Sequence, residues 1–147
     1  MPVERHPLTD IVIGGAIAVH RSLGAGLFES VYERCMCEEL DLARVRFERQ
    51  VPLPLKYKRA TFPIAFRVDL IGEDWLIVEL KAVERLLPVH EAQVLTYMRL
   101  SGAKQALLIN FNVPILKDGL RSYLNGNPHP FRTPLSPLPP LPPRQDL

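Results

Sequence analysis

Phe66-Arg67-Val68-Asp69-Leu70-Ile71-Gly72-Glu73-Asp74-Trp75-Leu76-Ile77-Val78-Glu79-Leu80-Lys81 is the stretch on which the fold of this chain turns. Phe66–Leu70 and Trp75–Leu80 are apolar runs of strand length. Gly72-Glu73-Asp74 between them predicts a three-residue hairpin loop. With that loop Ile71 faces Trp75, and Asp69 stands opposite Ile77. Side chains on one strand face recur every two residues, so Glu79 and Lys81 point the same way. Asp69 and Glu79 become diagonal neighbours on one face, about 7–8 Å apart at their backbones. Val68, Leu70, Leu76, Val78 and Leu80 remain to pack on a helix. A slip of one residue in register would undo this arrangement.

The charges in these runs need a reason, because a carboxylate is costly to bury unless something pairs with it. One reason is a hard divalent cation. Such an ion takes oxygen ligands, typically one or two carboxylates plus water and substrate phosphate. It lowers the pKa of bound water and neutralises charge developing on a phosphodiester under attack. A lysine two residues from the ligand can orient that water or help deprotonate it. The second role needs its ordinary pKa of about 10.4 to be lowered. The other reason is an ion pair of Lys81 with Asp69 or Glu79. Spacing alone supports both equally.

Upstream, residues 8–23 read as a helix capped by Thr9 or Asp10, with Ile13, Ala16, Ile17 and His20 on one face. Gly24-Ala25-Gly26 interrupts it, since two glycines in three residues weaken a helix and permit a positive φ. A second helix is predicted from Phe28 to Leu40, with Phe28, Val31, Tyr32 and Cys35 as its apolar stripe. Glu29 suits the helix dipole there and, three residues from Tyr32, can point toward the sheet. Val45-Arg46-Phe47-Glu48 and Leu53-Pro54-Leu55-Lys56-Tyr57 are strand material, and Pro52 and Pro54 assign them to an edge or irregular ribbon.

Downstream, Pro88 suits the first turn of a helix ending near Leu100 and stopping at Gly102. Gln93 and Tyr97, four apart, share a face of it and can lie over the carboxylates. Gln93 can bond a metal-bound water or a phosphate, and Tyr97 can contact a nucleic-acid backbone. His90 is either a third member or a cap. Ala106–Phe111 is a short strand apolar on both faces. Ile115–Leu124 fits a strand or a short helix. Helix, strands, helix, strand predicts a mixed sheet flanked by helices.

The 147 residues make one ordinary domain, which folds without disulfides. The expected domain is 1–124. Eight of the fifteen prolines crowd between Pro128 and Pro143, so 125–147 is expected to be an extended or disordered tail. Pro139-Pro140-Leu141-Pro142-Pro143-Arg144 fits the P-x-x-P-x-R pattern read by SH3-like domains, which makes an unknown protein a candidate partner. The net charge of +2 is too small to argue for nucleic acid by itself. Cys35 and Cys37 sit in a helical pattern with no further cysteine to complete a zinc site, and are expected to be reduced thiols. Two thiols, no signal-peptide pattern and no long apolar run point to a cytoplasmic protein without a membrane span.

In order along the chain, these motifs resemble the GxxExxY proteins, a branch of the PD-(D/E)xK nuclease superfamily. Gly26-x-x-Glu29-x-x-Tyr32 looks like the motif that names the branch, and His20-x-x-Leu23-Gly24-x-Gly26 is similar to its H-x-x-L-G-x-G. Asp69, Glu79-Leu80-Lys81, Gln93-x-x-x-Tyr97 and Leu107-Leu108-Ile109-Asn110-Phe111 match its later motifs. The resemblance covers roughly residues 8–124. It implies an α-β-β-β-α-β core like that of restriction endonucleases and RecB-type exonucleases. It also implies a Mg²⁺- or Mn²⁺-dependent hydrolase acting on DNA, working singly or as a homodimer. Asp69, Glu79 and Leu80 take the metal positions, Lys81 that of the catalytic lysine, and Glu29 that of the acid of the first core helix. Gln93 and Tyr97 match the RecB-like Q-x-x-x-Y element. The chain departs from the pattern at Ala25, where proline is usual, and at Tyr57-Lys58-Arg59, where Y-K-G is usual. A module that keeps this fold without catalysis is the alternative.

Overall fold

The computed structural model describes residues 6–126, so the proline-rich tail and its P-x-x-P-x-R motif lie outside the described residues. The elements run α1 (Pro7–Leu23), α2 (Glu29–Leu42), β1 (Phe47–Tyr57), β2 (Ala60–Gly72), β3 (Leu76–Lys81), α3 (Pro88–Ser101), β4 (Gln105–Asn110), a 3-10 turn (Leu116–Gly119) and β5 (Leu120–Leu124). One five-stranded sheet has the order β1-β2-β3-β4-β5. All neighbours are antiparallel except β3 and β4, which are parallel and joined through α3. This is the mixed, helix-flanked sheet expected of a restriction-endonuclease-like core.

The sheet separates two apolar layers. Leu70, Leu76, Val78, Leu80, Leu107 and Ile109 pack against α1 and α2, through Val12, Ala16, Tyr32, Met36 and Leu40. Val51, Leu53, Val68, Ile71, Ile77 and Leu108 pack against Val94, Tyr97 and Met98 of α3. Because β4 is covered on both sides, all six of its residues are buried, as its apolar run predicts. Gly102 stops α3 in the left-handed conformation at φ 76°.

Several local expectations are corrected. His6, not Thr9 or Asp10, caps α1: its Nδ1 accepts the Leu8 N–H at 3.0 Å. Thr9 turns inward instead and bonds Gln105. The buried face of α1 is Leu8, Val12, Gly15, Ala16 and Val19, while Ile17 is exposed. In α2 the buried stripe is Tyr32, Glu33, Met36 and Leu40. Phe28, expected in that stripe, precedes the helix and is 82% exposed. β1 is one continuous edge strand. Its register against β2 shifts between Leu53 and Leu55, where Pro54 and Pro63 cannot donate to the ladder. Residues 115–124 form both a short helix and a strand. Cys35 and Cys37 carry no disulfide.

The decisive hairpin also differs by one step. Its pairs are Gly72↔Leu76, Ile71↔Ile77 and Leu70↔Val78, so the loop is Glu73-Asp74-Trp75. The left-handed positions are Glu73 (φ 49°) and Asp74 (φ 65°), not Gly72. Arg46 offsets that conformation: its guanidinium lies 2.7 Å from Asp74 and 3.5 Å from Glu73, and its carbonyl accepts the Glu73 N–H. The register therefore sets Asp69 directly across from Glu79 rather than diagonal to it. Both remain on one face, because the shift moves the partner by two residues. Val68 departs from the expected set and joins the α3 layer, whereas Leu70 faces α1 and α2.

Candidate active site

β2 and β3 stop pairing at Leu70 and Val78, and the two carboxylates take over where the ladder ends. Glu79 Oε1 accepts the Asp69 N–H at 2.8 Å, and Asp69 Oδ2 accepts the Leu80 N–H at 2.9 Å. Each acid thus satisfies a main-chain donor of the opposite strand, which fixes both side chains. Glu79 is 3% exposed and Asp69 is half-buried. Burial pushes the Asp69 carboxyl up to about 6; the Leu80 N–H opposes this, and the Glu33 carboxylate adds to it. Burial and the facing Asp69 push Glu79 up to about 8, against the Asp69 N–H and the Lys81 ammonium. Leu80 contributes its N–H here, while its side chain is buried on the opposite, α1/α2 face.

Lys81 ends β3, and its Nζ donates to Gln93 Oε1 at 3.3 Å. Among the described residues, neither Asp69 nor Glu79 lies within ion-pair distance of it, although its charge favours the ionised form of Glu79. Tyr97, one turn beyond Gln93, is 4% exposed and packs its ring on Phe66. Burial and the fields of Glu79 and Asp69 push its hydroxyl up to about 12. His90 stands apart: its Nδ1 accepts the Leu87 N–H and caps α3.

Glu29 opens α2 at the rim of the site, exposed yet near enough to raise both carboxylates. The Gly26–Tyr32 stretch explains its placement. Gly24 and Gly26 take φ of 72° and 95°, which admits a tight loop. The Tyr32 hydroxyl donates to Gly24 O at 2.6 Å and accepts the Leu27 N–H at 3.2 Å. Its ring stacks on Phe111, 4.3 Å between centroids. Tyr32 is therefore the clamp that sets the start of α2, and Glu29 is what the clamp presents. Asn110 does the same for the end of β3: its side-chain amide bonds both the N–H and the carbonyl of Val83.

Three participants have no counterpart among the residues expected from the sequence. Glu33 is 8% exposed; its carboxylate takes Arg49 at 2.8 Å and Gln50 at 2.5 Å. Gln50 Nε2 also reaches Asp69 Oδ1 at 3.3 Å. Gln50 adopts φ 50° inside β1, opposite Asp69, and the ladder skips both residues. A non-glycine residue in that conformation costs on the order of 1 kcal/mol. The kink aims its amide along the strand pair at the acids. The signal that could have found this was Glu29 and Glu33 four apart on one helix, a like-charge pair that weakens a helix unless something else uses it.

Among the described residues, no three His, Cys, Asp or Glu side chains form a ready-made metal cage. A hard divalent cation needs none, since Mg²⁺ usually binds through one or two carboxylates and keeps several waters. The Asp69–Glu79 pair fits it by donor chemistry. Burial and the facing Asp69 carboxylate raise Glu79, and burial, Glu33 and Glu29 raise Asp69; a cation lying between the two acids relieves this crowding of negative charge.

A family model described as the PD-(D/E)XK nuclease superfamily matches residues 6–123. A search of curated proteins returned no match. The solved structure described as "Crystal structure of SSO0001" superposes with a TM-score of 0.37 at 19% identity, covering 83% of this chain and 68% of that one. The family match spans most of the chain, both apolar layers and every residue gathered around Asp69 and Glu79, and the chain belongs to the PD-(D/E)XK nuclease superfamily.

Proposed function

We propose that the protein is a Mg²⁺- or Mn²⁺-dependent nuclease that hydrolyses DNA phosphodiesters, of the GxxExxY, RecB-like branch of its superfamily. The observation that carries this is the opposed pair Asp69 and Glu79, held by each other's strands beside the Lys81–Gln93 contact. Asp69 and Glu79 are the residues that would hold the ion. When bound, it supplies Lewis-acid charge and a more acidic water.

The remaining roles belong to the chain. Gln93 holds the Lys81 ammonium at the exit of β3, where it can bond a phosphate oxygen or orient a water. The Tyr97 hydroxyl, pushed up to about 12, stays protonated at neutral pH and acts only as a neutral hydrogen-bonding group. Gln50 ties Asp69 to Glu33 and limits rotation of the Asp69 carboxylate.

Two measurements test this reading. Isothermal titration with Mn²⁺ should show a site that disappears in Asp69→Ala/Glu79→Ala, and the wild-type chain with Mn²⁺ should nick or degrade DNA. Undiminished cleavage by the double variant would overturn the assignment. Neither metal binding nor cleavage of any nucleic acid would leave a nuclease-fold binding module instead.

A further inference from the structure

The β1–β2 ribbon goes beyond what the sheet needs. β2 pairs with β3 only over Leu70–Gly72, yet it continues back to Ala60 paired with β1 alone. From Asp69 to the Lys58-Arg59 turn the ribbon extends about 25–30 Å at the usual rise per residue. Its first pairs, Val51 with Val68 and Leu53 with Phe66, are anchored on α3. Past the Pro54/Pro63 irregularity that support ends: Tyr57 is 61% exposed, Phe62 48% and Ile64 42%.

Charge separates the ribbon from the rest of the molecule. Residues 49–68 hold five of the eighteen Lys and Arg and none of the sixteen Asp and Glu, so the remainder of the chain is net acidic. Arg49 is spent on Glu33. Lys56, Lys58, Arg59 and Arg67 are exposed, and among the described residues none of them forms an ion pair. Lys58 lies 5.3 Å from the centre of the Tyr57 ring. An unpaired basic arm on an otherwise acidic body is an electrostatic footprint for a polyanion. It springs from the point where Asp69 and Glu79 sit.

We infer that the distal β1–β2 ribbon docks in the major groove of duplex DNA and lays the phosphodiester backbone across the Asp69–Glu79 site. The major groove of B-DNA is wide enough for a two-stranded ribbon, whereas that of A-form RNA is too deep and narrow. Lys56, Lys58, Arg59 and Arg67 contact the flanking phosphates, and the exposed Tyr57 and Phe62 face the groove. This inference rests on the nucleic-acid reading of the carboxylate site.

The test measures binding without cleavage, so its failure is separable from that of the nuclease assignment. Fluorescence anisotropy of a labelled duplex of about twenty base pairs is followed with the full chain in EDTA. Lys56→Glu/Lys58→Glu/Arg59→Glu is expected to weaken binding at least about tenfold, with an unchanged melting temperature. The neutral Lys56→Ala/Lys58→Ala/Arg59→Ala variant is expected to lower the slope of log K against log salt by about 0.9 for each phosphate it no longer neutralises. Duplex DNA should outcompete duplex RNA and single-stranded DNA of the same sequence. Unaltered affinity and salt slope in both variants overturn the inference, even if the wild-type chain cleaves DNA. So does preferred binding of single strands or duplex RNA, or a ribbon whose reversal changes only the oligomeric state in sedimentation. Loss of duplex binding in a chain that never cleaves sustains the ribbon and removes the nuclease assignment.

Discussion

The two ends of strand β2 live in opposite environments. From Val68 to Gly72 the strand lies between two apolar layers, is paired on both edges or capped by carboxylates, and carries one acid. From Ala60 to Arg67 it is paired on one edge, largely exposed, and belongs to a stretch that carries only basic charge. One continuous backbone thus joins an enclosed pair of acids to an exposed basic arm. Burial does the separating. The inner end has helices on both faces, while α3 ends its support of the outer end near Leu53 and Phe66.

Substitutions at the two ends should therefore differ in kind. The largest effect is expected at the inner end on activity: Asp69→Ala/Glu79→Ala lowers Mn²⁺-dependent cleavage about a thousandfold or more, while circular dichroism stays native. Lys81→Ala is expected to approach that reduction. Next is stability. Leu70→Ala opens a cavity in a fully buried layer and costs about 2–4 kcal/mol in urea unfolding. Ile64→Ser at the outer end is expected to change it by less than about 0.5 kcal/mol. Equal costs at the two positions would break the comparison.

A pH effect should follow from the inner end alone. Asp69 and Glu79 bind protons more tightly folded than unfolded, with folded values of about 6 and about 8 against ordinary values near 4. Stability from that source is present at low pH and is lost as pH rises through those folded values. The metal-free chain is therefore expected to melt on the order of 5 °C higher at pH 5 than at pH 8.5. Millimolar Mg²⁺ should restore the difference at pH 8.5, and Glu79→Gln should flatten it. A metal-free melting temperature that rises from pH 5 to pH 8.5 would contradict the burial of these acids. The smallest effect is at the tip of the ribbon. Lys58 holds φ 53°, and Lys58→Gly is expected to gain about 0.5 kcal/mol by relieving that strain.

Much of the inner end was legible in the sequence because period-two patterning and turn chemistry are local. They placed Asp69, Glu79 and Lys81 on adjacent strands and Gln93 and Tyr97 on the helix above them. The register was one step off because the rule looks for glycine at left-handed positions, and here Glu73 and Asp74 adopt them under the grip of Arg46, 27 and 28 positions away. The same limit hid Gln50. Its left-handed backbone inside a strand has no signature in composition, and its partners Glu33 and Asp69 come from different elements. The face of α1 was misread because Ile17 and Val19 are equally apolar, and only packing against α2 and the sheet decides between them. His90 resolved in favour of a cap, since its imidazole is committed to the Leu87 N–H.

The Tyr32–Phe111 stack has a consequence for how the molecule comes into being. It joins α2 to the residue just after β4, about eighty positions apart, and such long-range closures come late in folding. As the chain leaves the ribosome, α1, α2 and the β1–β2 ribbon emerge before the strand that completes the clamp. Until β4 pairs beside β3, one edge of the strand that carries Glu79 stays open, and Phe111 is not yet stacked on the tyrosine that sets Glu29 at the rim. The basic arm thus emerges ahead of β3 and its Glu79, and the two acids are held in the finished sheet only after α3 and β4 have followed.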